Sequence, residues 1–151
     1  MTNNMTQENE KKIVRVPMPY GRVLVVDDMD AHLDVTKMLL RPYGLKIDTV
    51  KSAYEAIDKI QAGNEYDIVF MDHLMPKMDG IEATKIIRSL GYRHPIIALT
   101  ANDLQGQAEM FLVNGFDDYI SKPIDLRRLD AVLNKLIRDK RHGTAGVPAG
   151  V

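Results

Sequence analysis

The chain has 151 residues, enough for one domain with a modest core. Its 20 basic and 21 acidic residues nearly cancel, so no global charge points to nucleic acid or to a membrane surface. It has no cysteine, which excludes a disulfide framework and a thiolate metal site and is compatible with a cytoplasmic location.

Residues 1–19 are polar and then interrupted by Pro17 and Pro19, and they read as a flexible arm or linker. Residues 20–141 alternate short apolar runs with amphipathic segments, and residues 142–151 are small and Gly-rich, as in a flexible tail. In chain order, a strand is expected over 22–27 and a helix over 30–41, stopped by Pro42 and Gly44. A second strand follows over 45–50. A second helix spans 53–62, with Ser52 and Glu55 at capping-box spacing and Gly63 past its end. The next strands are placed at 67–71, 95–99 and 117–121, and the next helices at 80–90, 103–113 and 125–138. Leu126, Leu129, Leu133, Leu136 and Ile137 fall on one face of the last helix and read as core. Five strands alternating with five helices predict an α/β fold, a doubly wound parallel sheet covered on both faces.

Four of the strands end in polar groups: Asp27 and Asp28, Asp72, Thr100, and Lys122. A parallel sheet gathers the carboxyl ends of its strands at one edge, where such folds place their sites. Three carboxylates, a hydroxyl and an ammonium would converge there. Crowded carboxylates repel unless a cation is present, and an oxygen-rich set with room for water suits Mg²⁺. A mobile ammonium suits phosphate oxygens. Phosphoryl transfer asks for positioning and charge neutralisation around one nucleophile. Asp72 stands alone on the central strand and is the candidate to form an aspartyl phosphate; the pair Asp27 and Asp28 is better placed to hold metal. Each feature has a blander reading. A paired Asp-Asp is commonly a turn or cap, a Lys-Pro pair is commonplace, and a strand-end aromatic such as Tyr119 is more often packing than a switch. The joint occurrence of all four in order carries the reading. The four histidines show no metal-binding spacing, and His73 reads as loop.

The runs V-L-V-V-D-D, M-D-H-L-M-P-K-M-D-G, A-L-T-A and Y-I-S-K-P-I resemble the receiver domains of two-component signalling, over roughly residues 20 to 140. The resemblance implies a flavodoxin-like (βα)5 fold of strand order 2-1-3-4-5. It implies that Asp72 accepts a phosphoryl group from a histidine kinase or a histidine phosphotransfer domain. Mg²⁺, with Mn²⁺ as a substitute, would be held by Asp28, Asp72 and the backbone carbonyl of Leu74, and by Asp27 through water. Thr100, Ala101 and Lys122 would bind the phosphoryl group, Lys122–Pro123 would be cis, and Thr100 with Tyr119 would form the switch pair. Conventional substrate turnover is not implied; phosphotransfer and autodephosphorylation are self-catalysed. No nucleic acid or membrane contact is expected, and weak self-association is left open. Met29, His32, Leu33, Pro123 and Ile124 are expected to form an apolar partner surface at the pocket rim. Leu74 and Asn102, flanking the path of an attacking water, offer no strong general base, which implies no unusually fast self-dephosphorylation.

The finer resemblance is to receivers of hybrid sensor histidine kinases, which makes the chain an excised module; a stand-alone single-domain regulator is the alternative. Rival readings are a pseudo-receiver that is never phosphorylated, a flavodoxin-like cofactor binder and an aspartyl-phosphate phosphohydrolase. The intact acidic set opposes the first. The second wants a Ser/Thr/Gly-rich phosphate loop where this chain has Asp-Asp-Met-Asp. The lone Asp72 fits a receiver better than the third.

Overall fold

The computed structural model describes residues 13–101 and 106–141. Five strands, β1 (Arg22–Val26), β2 (Lys46–Val50), β3 (Ile68–Asp72), β4 (Ile96–Thr100) and β5 (Asp118–Ser121), form one parallel sheet of order 2-1-3-4-5. The helices are α1 (Asp30–Leu40), α2 (Ala53–Gln61), α3 (Gly80–Ser89), α4 (Gln107–Val113) and α5 (Leu126–Leu133). A short 3-10 turn, Arg41–Tyr43, absorbs Pro42 after α1, and α5 widens into a π-helical stretch over Asn134–Arg138. The expected elements agree with these to within a residue or two at most ends. The expected start of α4 at 103, like Asn102, lies outside the described residues.

Strand alternation builds two cores, one on each face of the sheet. Val23, Val25, Ile68, Phe70, Ile97 and Leu99 pack with Leu33 and Leu40 of α1 and with Leu129, Val132 and Leu133 of α5. Leu24, Val26, Val69, Met71, Ile96 and Ala98 pack with α2, α3 and Phe111 of α4. The starts of α2, α3 and α5 are fixed by side chains. Ser52 accepts from Glu55 N at 3.1 Å while Glu55 accepts from Lys51 N and Ser52 Oγ, and Asp79 and Asp125 cap α3 and α5.

Two expectations are corrected. The arm does not extend to residue 19: Met18 is fully buried in the α1–α5 core and its N–H donates to Tyr43 O at 2.8 Å. Proline spacing signals irregular backbone, and irregular backbone can still deliver one apolar side chain to a core. Leu33 is also core, because its place on α1 turns it toward the sheet.

The amino ends of the strands are tied by two polar clusters. Arg88 donates to Gly115 O, Tyr92 O, His94 O and Asp117 Oδ2, all within 2.9 Å, and so pins α3 to the start of β4 and β5. On the other side, Asp48 accepts from Arg22 at 3.0 Å and from the buried Tyr66 hydroxyl at 2.8 Å, with the Arg22 guanidinium stacked 4.6 Å from the Tyr66 ring. Burial alone would raise the Asp48 pKa. The hydrogen bonds from Tyr66 and Arg22, aided by the Arg22 charge, outweigh it and hold the carboxyl below its ordinary range. A carboxyl held below its unfolded pKa adds stability above the unfolded value and loses it as pH falls through the folded value. Asp48→Ala should therefore cost about 1–2 kcal/mol near pH 7, mostly from the stranded Tyr66 hydroxyl. Urea unfolding should show the gap narrowing below the ordinary carboxylate range; a gap that is constant with pH would remove the charge from the explanation.

Candidate phosphoryl and metal site

The parallel register assembles the site. Val26 of β1 stands beside Met71 of β3, so the next residues, Asp27 and Asp72, emerge side by side. Thr100 stands beside Ser121, and Lys122 N donates to Thr100 O at 2.7 Å, which aims the following turn back over the pocket. The Lys122–Pro123 peptide in that turn is cis.

Asp27 is 1% exposed and Asp72 is 7% exposed. One ligand oxygen from each of Asp27, Asp28 and Asp72 lies within 4.8 Å of the others. The Asp27 Oδ1 accepts from Met29 N at 3.0 Å, which fixes the first turn after β1. Lys122 Nζ lies 3.0 Å from Asp27 Oδ2 and 3.2 Å from Asp72 Oδ1, bridging the two strand ends. Burial raises the Asp72 pKa above the carboxylate range, and the charges of Asp27 and Asp28 add to the rise; Lys122 opposes it without cancelling it. This is an acidic pocket short of positive charge. Three hard oxygen donors at this spacing fit a small divalent cation such as Mg²⁺, which takes carboxylates and keeps waters.

Thr100 is buried, and its Oγ1 accepts from Gln107 Nε2 at 3.5 Å. Ala101, next in the chain, is exposed. Tyr119 is half-buried against the core on the α2–α4 face, its ring 5.7 Å from that of Phe111. Thr100 and Tyr119 therefore stand near one helix, α4, on one side of the sheet.

Of the expected rim residues, Met29 is 50% exposed, and Pro123 is also exposed. Ile124 is half-buried against the α1–α5 core, and Leu33 is not on the surface. Leu74 (59% exposed) and Tyr54 at the start of α2 add apolar surface at this edge that strand-end reasoning had not selected for a partner. His32 was placed on that rim as a surface residue, yet its Nδ1 is 3.3 Å from both Lys122 Nζ and Asp27 Oδ2. Its place in the first turn of α1, shortly after the acidic pair, is a sequence signal that could have found this. Gly80 is a further residue that motif reading left without a role. A Cβ there would fall well inside contact distance of the Asp72 carbonyl oxygen, and Gly80 N donates to His73 O at 3.0 Å, so the loop from 73 to 79 closes tightly under the site.

The receiver-domain model of response regulators matches residues 23–134, and the chain belongs to that family, the receiver domains of two-component signalling. Among curated relatives it is 36% identical over 113 residues to Two-component response regulator 24 of Arabidopsis thaliana, covering 75% of this chain and 81% of that protein. It is 41% identical over 119 residues to Sensor histidine kinase GacS of Pseudomonas protegens, covering 76% of this chain but only 13% of the kinase. Among solved structures it is similar to the receiver domain of sensor histidine kinase PA1611 from Pseudomonas aeruginosa, which carries a magnesium ion in its active-site cleft (36% identity, TM-score 0.70, covering 78% of this chain and 98% of that one). It is also similar to the co-crystal of the Saccharomyces cerevisiae phosphotransfer protein Ypd1 with the Ssk1 receiver domain (26% identity, TM-score 0.73, covering 85% and 94%).

The raised Asp72 pKa has a consequence for stability. A carboxyl whose folded pKa lies above its unfolded value weakens the fold while ionised, and stability is recovered as pH falls through the folded value. Without metal, Asp72→Asn should raise stability at neutral pH by roughly 1 kcal/mol. The gain should fade in acid as Asp72 of the wild type takes up its proton. Thermal melts across pH would detect this, and a variant that melts below wild type at pH 7 would contradict it.

Proposed function

We propose that this receiver accepts a phosphoryl group on Asp72 from a phosphohistidine donor, and that the observation carrying this reading is the convergence of Asp27, Asp28, Asp72 and Lys122 at one sheet edge. An Asp72 carboxylate oxygen attacks phosphorus, the phosphorus–nitrogen bond to the donor imidazole breaks, and the imidazole leaves on taking up a proton. Asp28, Asp72 and the Leu74 carbonyl would hold Mg²⁺ directly, with Asp27 acting through water; bound there, the ion neutralises charge on the phosphoryl oxygens. Lys122 supplies a second positive charge from the other side, and Thr100 and Ala101 receive the remaining oxygen. Thr100 then moves toward the phosphoryl group and the Tyr119 ring follows inward, changing the face that carries α4 and β5.

The identity to GacS and to the PA1611 receiver supports an origin in a hybrid sensor histidine kinase, acting in a phosphorelay. The donor is then a histidine kinase or a phosphotransfer domain, as in the Ypd1 complex with Ssk1. Such a donor has to bring its histidine within bonding range of Asp72, so its helix lies over Met29, His32, Pro123 and Ile124. Among the described residues no helix is long and apolar enough to cross a membrane. Residues before about 17 and after 141 are dispensable in this reading.

Acetyl phosphate with Mg²⁺ should add one phosphoryl mass to the intact chain, labile to hydroxylamine and absent from Asp72→Asn. Retention of that mass by the variant would assign the acceptor elsewhere. Met29→Glu should slow transfer from a phosphorylated phosphotransfer domain tenfold or so, as loss of one apolar interface anchor does, while acetyl phosphate labelling stays at the wild-type rate. Equal loss of both reactions would mean damage to the pocket; loss of neither would place the donor on another face.

A further inference from the structure

An ammonium has three protons to donate. Lys122 Nζ has two carboxylate acceptors, Asp27 Oδ2 at 3.0 Å and Asp72 Oδ1 at 3.2 Å, and a third polar atom, His32 Nδ1, at 3.3 Å. We propose that His32 is a positioning residue for Lys122, its unprotonated Nδ1 serving as the third acceptor that holds the ammonium over Asp72 until the phosphoryl group arrives. The inference rests on the reading of Asp72 as phosphoryl acceptor and adds to it a residue from α1.

The geometry distinguishes the two tautomers. His32 Nδ1 is also 3.3 Å from Asp27 Oδ2. A proton on Nδ1 would serve that contact but would point hydrogen at an ammonium that has no lone pair to receive it. With Nδ1 bare, three acceptors surround one cation, and the ammonium between them offsets their mutual repulsion. The remaining ring N–H, on Nε2, is then free to face solvent, in keeping with a side chain that is 43% exposed.

Position explains why a third acceptor is useful. Asp27 and Asp72 bind the ammonium from the buried side, and the lysine side chain itself keeps some exposure. A lysine has four rotatable bonds, and two acceptors on one side leave it free to swing outward. His32, in the first turn of α1 and itself partly exposed, is the third group in reach of the ammonium and limits that movement. Its contact is the longest of the three and the most exposed, so it is the one released when a phosphoryl oxygen becomes the better acceptor.

The test uses the full chain at one pH well above the imidazole range. His32→Leu keeps bulk and removes the acceptor. His32→Asn keeps it, because Asn Oδ1 is bonded to Cγ just as Nδ1 is. The initial rate of Asp72 labelling by acetyl phosphate at saturating Mg²⁺ should fall roughly fivefold in His32→Leu, the share of one net hydrogen bond, and should stay near wild type in His32→Asn. In ¹⁵N-histidine-labelled protein, His32 should show an unprotonated Nδ1 and a protonated Nε2. Labelling unchanged in His32→Leu, or equally slow in both variants, would overturn the proposal, and so would a protonated Nδ1. If wild type gains no phosphoryl mass at Asp72, the reading of the site fails instead, and the ¹⁵N spectrum still decides whether the hydrogen bond exists. If His32→Leu does not fold, His32→Asn and the spectrum remain decisive.

Discussion

One ammonium stands between two buried carboxylates at the end of a parallel sheet, and the rest of the molecule is arranged around that contact. Lys122 reaches Asp27 and Asp72 only because β1 and β3 are neighbours in register and because the β5 turn folds back over them. Burial first, and then the neighbouring charges of Asp27 and Asp28, push the Asp72 pKa up. The fold holds them there with two apolar cores, the close approach of Gly80 and polar ties at the far edge. The pocket is thus a charge imbalance kept in place by packing, which a divalent cation can relieve.

The two faces of the sheet divide the work. Along β1 and β3, the residues that alternate with Asp27 and Asp72 pack toward α1 and α5, where the rim of Met29, His32 and Ile124 also lies. Along β4, the residues that alternate with Thr100 pack toward α2, α3 and α4, where Tyr119 rests beside Phe111. The rim of the acidic pocket and the surroundings of Tyr119 thus lie on opposite faces of the sheet.

Asp27, Asp72, Thr100 and Lys122 were legible in the sequence because each ends a short apolar run, and a parallel sheet must bring such ends together. The strand order came with the family resemblance that those motifs carry. Met18 was not legible: it precedes the first strand in a proline-broken stretch, and only the three-dimensional seat beside Tyr43 makes it core. Leu33 looked like rim because it follows the acidic pair closely, but helical periodicity turns it inward while His32 turns toward Lys122. The link between His32 and Lys122 spans 90 residues and no local pattern encodes it. The π-helical widening after α5 had no signal either, since Leu133, Leu136 and Ile137 fit an unbroken helix equally well.

Arg141, in the last described turn, stacks its guanidinium 4.2 Å from the ring of Tyr20, just ahead of β1. Both lie at the amino edge of the sheet, opposite the acidic pocket. The segment ahead of β1 and the last described turn are therefore tied together at that edge. A segment attached at that edge would leave the strand ends that carry Asp27, Asp72 and Lys122 uncovered.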